Sequence, residues 1–329
     1  MNIPATKFGV IIQGPLVSLA GQIPGNPIKH FNNLETIQKN YQIITSLGGA
    51  VIVSTWDPQD DEERSILKGL KEARIPTITT PNNFPSDPDH RYKQRFGTLL
   101  GLKELEKNRP NNELPNFLVK IRTDMLMSTN FWKWIAKAMD SSSDKLHISE
   151  MSSTMPFFMG DFIYAGKKEV FRDFIECIVG FGPRLLYPTI GIDDAMKYCH
   201  HKKYGNFQSY FQKIYTTYLF IFKEKYLTDV WNKFISRELK VLPKDIWTET
   251  IWRGHPMSFF VSPDKFKYDT LPFTIKKSSI KEKWLKWNTL MGNYEICFGK
   301  RKALPLTIKI YGVIKRLKGQ LKRGANSVK

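Results

Sequence analysis

Cysteine is scarce in this chain, with three residues in 329, and Cys177, Cys199 and Cys297 show no CxxC spacing. That argues against a disulfide framework or a thiolate zinc site and fits reduced thiols in a cytoplasmic setting. Long apolar runs are missing as well. No stretch of 18 or more apolar residues occurs, so no transmembrane helix is expected. Met1 to Lys7 lacks the apolar segment of a secretory signal. Acidic residues are in short supply, with 31 Asp and Glu against 50 Lys and Arg, a net charge of +19. The GxSxG, P-loop and Rossmann glycine patterns are absent, which removes several nucleophilic and NTPase readings. His147, His200, His201 and His255 show neither HExxH nor any other metal spacing.

What is present fits a globular protein: 41% apolar and 13% aromatic residues in a length that buries one full core plus an appendage. The positive charge is unevenly spread. From Lys276 to Lys329 there are twelve Lys and three Arg against two Glu, a net +13, which leaves +6 for residues 1–275. The basicity therefore belongs to an appended segment, and the chain as a whole is not read as a nucleic-acid binder. This divides it into 1–275 and a basic tail, 276–329.

Apolar stretches bounded by turn residues recur with helical patterns between them. Phe8 to Gln13 closes on Gly14-Pro15, Ala50 to Thr55 closes on Trp56-Asp57, and Pro76 to Thr80 closes on Pro81-Asn82. Leu34, Ile37, Tyr41 and Ile44 repeat at helical spacing, Asp60 to Ala73 reads as a charged helix, and Phe96 to Leu105 supplies a third apolar face. Phe117 to Arg122 is another apolar strand, delivering Asp124 just past its end. A helix over Phe131 to Met139, a strand near Leu146 to Ser149, a strand over Phe157 to Ala165 and a helix from Lys167 to Val179 follow. Strand–helix alternation of this kind predicts an α/β fold with a mainly parallel open sheet flanked by helices. In such sheets ligands bind outside the carboxyl ends of the strands.

The candidate site residues follow from that rule. Asp124 offers a hard oxygen ligand for Mg²⁺ or Mn²⁺ bridging a diphosphate, and Arg122 lies on the same side of the extended segment, suited to a phosphate; the same spacing equally fits a solvated Arg–Asp pair at a strand end. Gln13-Gly14-Pro15 forms a turn from which Gln13 can read a nucleobase edge, and Asp57 is placed for a ribose hydroxyl. Ordinary turns use the same residue types. Arg91, Gln94 and Arg95 fall within one helical cluster able to face a common anion, as a solvated face also would. Asp161 sits inside an apolar run, where an unpaired carboxylate is costly. Asp193 and Asp194 open a predicted helix, where carboxylates complement the dipole and can also serve as a general base.

The tail has a different logic. Ile310, Val313, Ile314, Leu317 and Leu321 fall on one helical face, with Lys315, Arg316, Lys318, Lys322 and Arg323 on the others. A basic amphipathic helix of this kind suits an anionic membrane surface, with Trp284 and Trp287 suited to interfacial depth; a helix packed on the protein's own core with a solvated basic face has the same pattern.

Four segments occur in order: Gly9 to Pro15, Ser54-Thr55-Trp56-Asp57, Lys120 to Asp124, and Gly160 to Gly166. Together, over residues 8–200, they resemble the WavE lipopolysaccharide-synthesis family of bacterial glycosyltransferase-like proteins. The resemblance implies a GT-A-like fold and hexosyltransferase-like chemistry from a nucleotide-sugar donor. It also implies a surface-glycan acceptor: lipopolysaccharide core, O-antigen or capsule, lipid-linked or on lipopolysaccharide itself. In GT-A enzymes an Asp-x-Asp motif commonly holds the metal and diphosphate, and Arg122-Thr123-Asp124 stands where that motif would. Either Asp124 alone holds Mn²⁺ or Mg²⁺, or Arg122 itself neutralises the leaving diphosphate. By analogy with inverting GT-A enzymes the base is Asp193 or Asp194, with Asp161 a third candidate catalytic carboxylate.

The expectation is thus a cytoplasmic glycosyltransferase, peripheral on the inner face of the cytoplasmic membrane. Gln13, Gly14, Pro15, Asp57, Arg91, Gln94, Arg122 and Asp124 would face the donor, and no nucleic-acid partner is expected. A nucleotidyl- or phosphotransferase would need more carboxylates than the Asp124 segment supplies. A basic adaptor binding anionic glycan or nucleic acid through residues 276–329 is the non-enzymatic alternative.

Overall fold

The computed structural model describes residues 7–19, 30–81, 91–108, 114–141, 143–149, 151–152, 159–180, 190–202, 224–243, 245–257 and 266–267. The basic segment 276–329, with its expected amphipathic helix, lies outside them.

The apolar stretches become the strands of one sheet. Strand β1 (Gly9–Gln13) is buried along its whole length, as a strand covered on both faces must be. After a short hairpin of β2 (Val17–Leu19) and β3 (His30–Asn32), helix α1 (Leu34–Ser46) leads to β4 (Ala50–Trp56). Helix α2 (Asp61–Glu72) starts at Asp60, whose carboxylate accepts the Glu63 amide at 2.8 Å, the usual way to satisfy an orphan donor at a helix start. It is followed by β5 (Thr77–Thr80), α3 (Arg91–Lys107), β6 (Phe117–Arg122) and the short β7 (Met125–Leu126).

The second half contributes α4 (Thr129–Met139), capped by Ser128, then β8 (Leu146–Ile148), β9 (Met151–Ser152), β10 (Tyr164–Lys167) and α5 (Lys168–Gly180). Helices α6 (Ile190–His201) and α7 (Glu224–Glu238) precede β11 (Leu239–Val241), α8 (Asp245–Thr248), β12 (Ile251–Trp252), β13 (His255–Pro256) and β14 (Phe266–Lys267).

The main sheet has the order β11-β8-β10-β6-β1-β4-β5. β6, β1, β4 and β5 run parallel, β10 runs antiparallel to both its neighbours, and β11 is parallel to β8. This is a mixed α/β sheet, mainly parallel, with helices packed on it, as the alternation predicts. Its parallel part winds with one reversal. The chain steps from β1 outward to β4 and β5, then returns through α3 to β6 on the far side of β1. Right-handed crossovers therefore put α1 and α2 on one face and α3 on the other. The crevice at the carboxyl ends of β1 and β6 is the switch point of this topology, where open α/β sheets bind ligands. Helix α3 lies close to the sheet there: a Cβ on Gly97 would sit 3.2 Å from Ser54 Oγ and 3.8 Å from Gln13 Cγ.

Two element boundaries differ from expectation in ways that matter. The strand expected over Phe157 to Ala165 is β10, which begins only at Tyr164; residues 153–158 lie outside the described set. Asp161 precedes the strand, and its carbonyl accepts from the Lys120 ammonium. Helix α6 begins at Ile190, so Asp193 closes its first turn and Asp194 falls beyond it. Among the described residues no helix is long and apolar enough to cross a membrane.

Candidate functional site

Register brings the first site residues together. Gln13, the last residue of β1, lies opposite Ser54 on one side and Arg122 on the other. Its side chain is buried, and its amide Nε2 has no hydrogen-bond partner. Gly14 then turns the chain at φ +152°, and its N–H donates to the Ser54 carbonyl at 3.1 Å. A Cβ here would collide with Thr123 Oγ1, so the approach of the two loops requires glycine. The Thr123 hydroxyl donates to the Pro15 carbonyl at 2.8 Å, and Thr123 N–H to the Gln13 carbonyl at 3.2 Å.

Two asparagines of α1 and its cap anchor the same turn. Asn33, just before the helix, donates to the Pro15 carbonyl at 2.7 Å and to Ser18 Oγ at 3.0 Å. Asn40, two turns on, donates to the Met125 carbonyl at 2.7 Å. The segment between β6 and β7 is thereby fixed before any ligand arrives.

Asp124 sits at the centre of that segment with no exposed surface. Both its oxygens are occupied. Oδ1 accepts from Arg122 Nε at 2.8 Å. Oδ2 accepts from Arg122 Nη2 at 3.0 Å, from Arg253 Nε at 2.9 Å and from Ser18 Oγ at 3.2 Å. Burial alone would raise its pKa, but the two guanidiniums outweigh it and hold the carboxyl well below the ordinary carboxylate range. Arg122, reciprocally, is held above the ordinary arginine value by Asp124 despite burial. Both guanidiniums lie over aromatic rings: Arg122 is 5.5 Å from the Phe162 centroid and Arg253 is 4.7 Å from that of Trp252.

Arg253 arrives from a distant part of the sequence. β12 and β13 form a hairpin joined by two residues, Arg253 and Gly254, at φ 51° and 79°. Positive φ at both positions is the signature of a tight type I′ turn, which favours Asn or Gly at the place arginine occupies. The turn is held because β12 pairs with β7, setting Trp252 against Met125, and Arg253 N–H donates to the Asp124 carbonyl at 2.9 Å. Sequence reasoning did not reach Arg253. The only local signal is the Arg-Gly pair after the β-prone Ile251-Trp252.

Asp161 flanks the crevice, about a fifth exposed, with its carboxylate 3.9 Å from Arg122 Nη1. Beneath it lies Lys120, almost fully buried and 5.3 Å from the Tyr164 ring centroid. Burial brings the Lys120 ammonium down to about 8, opposed first by Asp161. Asp194 belongs to the same buried layer. It pairs with Arg95 of α3 and accepts from the Tyr164 hydroxyl at 3.3 Å. Burial first, then Asp194, pushes the Tyr164 hydroxyl well above its ordinary value.

The remaining candidates stand further out. Asp57 is half-buried just past β4, its N–H donating to the Thr80 carbonyl at 3.0 Å. Gln94 is half-buried on α3, while Arg95 of the same cluster turns inward to Asp194. Arg91 opens α3 and Asp193 lies on α6; the side chains of these two are outside the described residues. Gln13, Gly14, Arg122, Asp124 and Asp161 thus share one crevice, with Asp194 joined to it through the buried layer.

A divalent cation, which the resemblance implies, does not suit this donor set. Every oxygen of Asp124 already accepts from a guanidinium, and among the described residues no group of three or more His, Cys, Asp or Glu could hold a metal ion.

No family model and no curated protein matches the sequence. Solved structures do, at low similarity. A Desulfovibrio desulfuricans G20 protein named as a nucleotide-diphospho-sugar transferase matches at 9% identity and TM-score 0.37, over 60% of this chain and 77% of its own. HddC from Yersinia pseudotuberculosis, complexed with GMP-PN, matches at 11% identity and TM-score 0.28, over 50% and 77%. A Bacillus anthracis protein named as a glucose-1-phosphate thymidylyltransferase, in complex with a sucrose, matches at 11% identity and TM-score 0.31, over 51% and 74%. At TM-scores below 0.5 these likenesses carry no weight for activity.

Proposed function

We propose that this chain is a glycosyltransferase that moves a sugar from a nucleotide-sugar donor to a bacterial surface-glycan acceptor. The observation that carries the reading is the switch-point crevice. It sets an unpartnered buried amide, Gln13 Nε2, beside the Arg122–Asp124–Arg253 cluster at the ends of β1 and β6. An amide there suits a base edge and guanidiniums suit a diphosphate, with Asp57 at the adjacent strand end for a ribose hydroxyl.

In a single displacement, a carboxylate takes the proton of the acceptor hydroxyl, and its oxygen bonds to the anomeric carbon. The bond from that carbon to the diphosphate oxygen breaks, and the electron pair leaves with the diphosphate. Asp161 is the base in this reading, because its partly exposed carboxylate stands beside Arg122 at the crevice, whereas Asp194 is sealed against Arg95 and Tyr164. Asp193 is the alternative.

Turnover of a panel of nucleoside diphosphate sugars, read as release of the nucleoside diphosphate, tests the proposal. Asp161→Asn is expected to slow turnover by roughly 10²- to 10⁴-fold with little change in donor affinity. Unchanged turnover in Asp161→Asn, with loss in Asp193→Asn, moves the base to Asp193. The acceptor and the membrane attachment rest on the family resemblance and the basic tail.

A further inference from the structure

We infer that Arg122 and Arg253, clamped together by Asp124, form a cation-independent diphosphate site in which the two guanidiniums do the work of a metal ion. The inference rests on the donor-site reading above and deepens it.

A carboxylate that binds a metal presents at least one oxygen lone pair outward, toward the ligand. Here the Asp124 carboxylate is wholly buried and is approached by four side-chain donor groups, three of them on guanidiniums. Its chemistry is that of an anchor. Arg122 is gripped bidentately through Nε and Nη2, which leaves Nη1 pointing toward Asp161 at the crevice. Arg253 is gripped through Nε and by its own backbone N–H.

Both arginine side chains keep exposed surface, 14% and 19%, while the carboxylate that fixes them keeps none. The rings of Phe162 and Trp252 lie 5.1 Å apart, edge to face, and flank the guanidiniums. The arginines are therefore oriented before a ligand arrives, which lowers the ordering cost of binding.

The backbone supports the same conclusion. Arginine at the first position of a type I′ turn is conformationally costly, where Asn or Gly would be at ease. Strain of this kind persists where the surroundings over-determine it, and here the turn delivers a second cation to a crevice that already holds one. Each guanidinium holds part of Asp124, Arg122 also faces Asp161, and the exposed edges of the two are what an anion would meet. When the anomeric bond breaks, the charge that develops on the leaving diphosphate falls on Arg122 and Arg253, with no Lewis acid required. Asp124 is a positioning residue in this scheme.

Calorimetric titration of the full chain with UDP, GDP, ADP and dTDP, first with EDTA and then with Mn²⁺, tests the inference. Inorganic pyrophosphate with EDTA is added because it needs only the arginine pair. The expected result is diphosphate binding in EDTA with an affinity that changes less than about twofold on adding Mn²⁺. Arg253→Asn suits the type I′ turn and leaves Arg122 on Asp124. It should weaken diphosphate or pyrophosphate binding by about tenfold or more, with Arg253→Lys between it and wild type. Binding lost in EDTA and restored by Mn²⁺ overturns the inference and leaves the donor reading standing, as does unchanged affinity in a folded Arg253→Asn. Pyrophosphate binding without any nucleotide binding supports the arginine site and sinks the donor reading. No binding of any of these probes sinks both.

Discussion

Asp124 is the residue on which most of this account turns, and its pairing makes it a stability determinant as well as an anchor. Replacing it with Asn leaves two guanidiniums facing each other across a neutral amide. Breaking a buried pair in this way costs about 3–5 kcal/mol, which urea denaturation of Asp124→Asn should register. Its acid behaviour is equally specific. An unfolded aspartate titrates at about 3.9, and the folded one is held lower by Arg122 and Arg253 against the push of burial. A group depressed on folding contributes its stability above the unfolded value and loses it as pH falls toward the folded one. Below about pH 4 the wild type should therefore lose stability that Asp124→Asn does not, visible as a shallower acid arm in the variant.

Asp124 and Arg122 were legible in the sequence because both lie within three residues of the end of an apolar strand. Arg253 was not, because what places it is a pairing of β12 with β7, 126 against 251, which no local pattern encodes. Ser18 and Asn33 were missed for the same reason, since their role is to hold a turn that comes together only when the chain folds.

At the scale of elements, the parallel strands β1, β4, β5 and β6 were readable, as was β8 near Leu146 to Ser149, whereas the start of β10 was not. β1, β4 and β6 are apolar stretches closing on turn residues, and their burial makes that pattern continuous, whereas the edge strand β5 is Thr-rich and buried only at Thr80. β10 was placed too early because Phe157 to Ala165 is apolar on both sides of Asp161, yet Asp161 and Phe162 are turned toward Arg122 instead of joining the ladder. β8 carries a further consequence. His147 is buried there, with the Trp134 ring edge-on at 4.9 Å and Phe117 at 6.2 Å. Burial first, then Lys240 and Lys145, brings its pKa from an ordinary 6.5 to about 3. The unfolded chain thus binds the proton more readily between those values, and β8 loses stability as pH falls from 6.5 to 3. His147→Leu should flatten the stability profile across that window when followed by thermal melting. An unaltered slope would mean that another group carries the acid response.

For the whole molecule, the winding order converts a local pattern into a site. The reversal between β5 and β6 opens the crevice at the ends of β1 and β6, where Gln13, Arg122, Asp124 and Asp161 lie. The basic segment beyond residue 275 was visible as charge, a net +13, and as an amphipathic pattern over Ile310 to Leu321. Each cation near an anionic membrane surface contributes about 1 kcal/mol, so deleting 276–329 should release the protein from vesicles containing anionic lipid while turnover on soluble acceptors persists. Sedimentation with vesicles that is unchanged by the deletion would contradict the attachment, and loss of all function with the tail would favour the adaptor.

The most direct test of the central claim is calorimetric titration of wild type and Arg122→Ala with a panel of nucleoside diphosphate sugars. The account predicts that one donor binds the wild type and that binding falls by about tenfold or more in the variant. A folded wild type that binds no member of the panel, or a donor that binds Arg122→Ala as tightly as wild type, would contradict it.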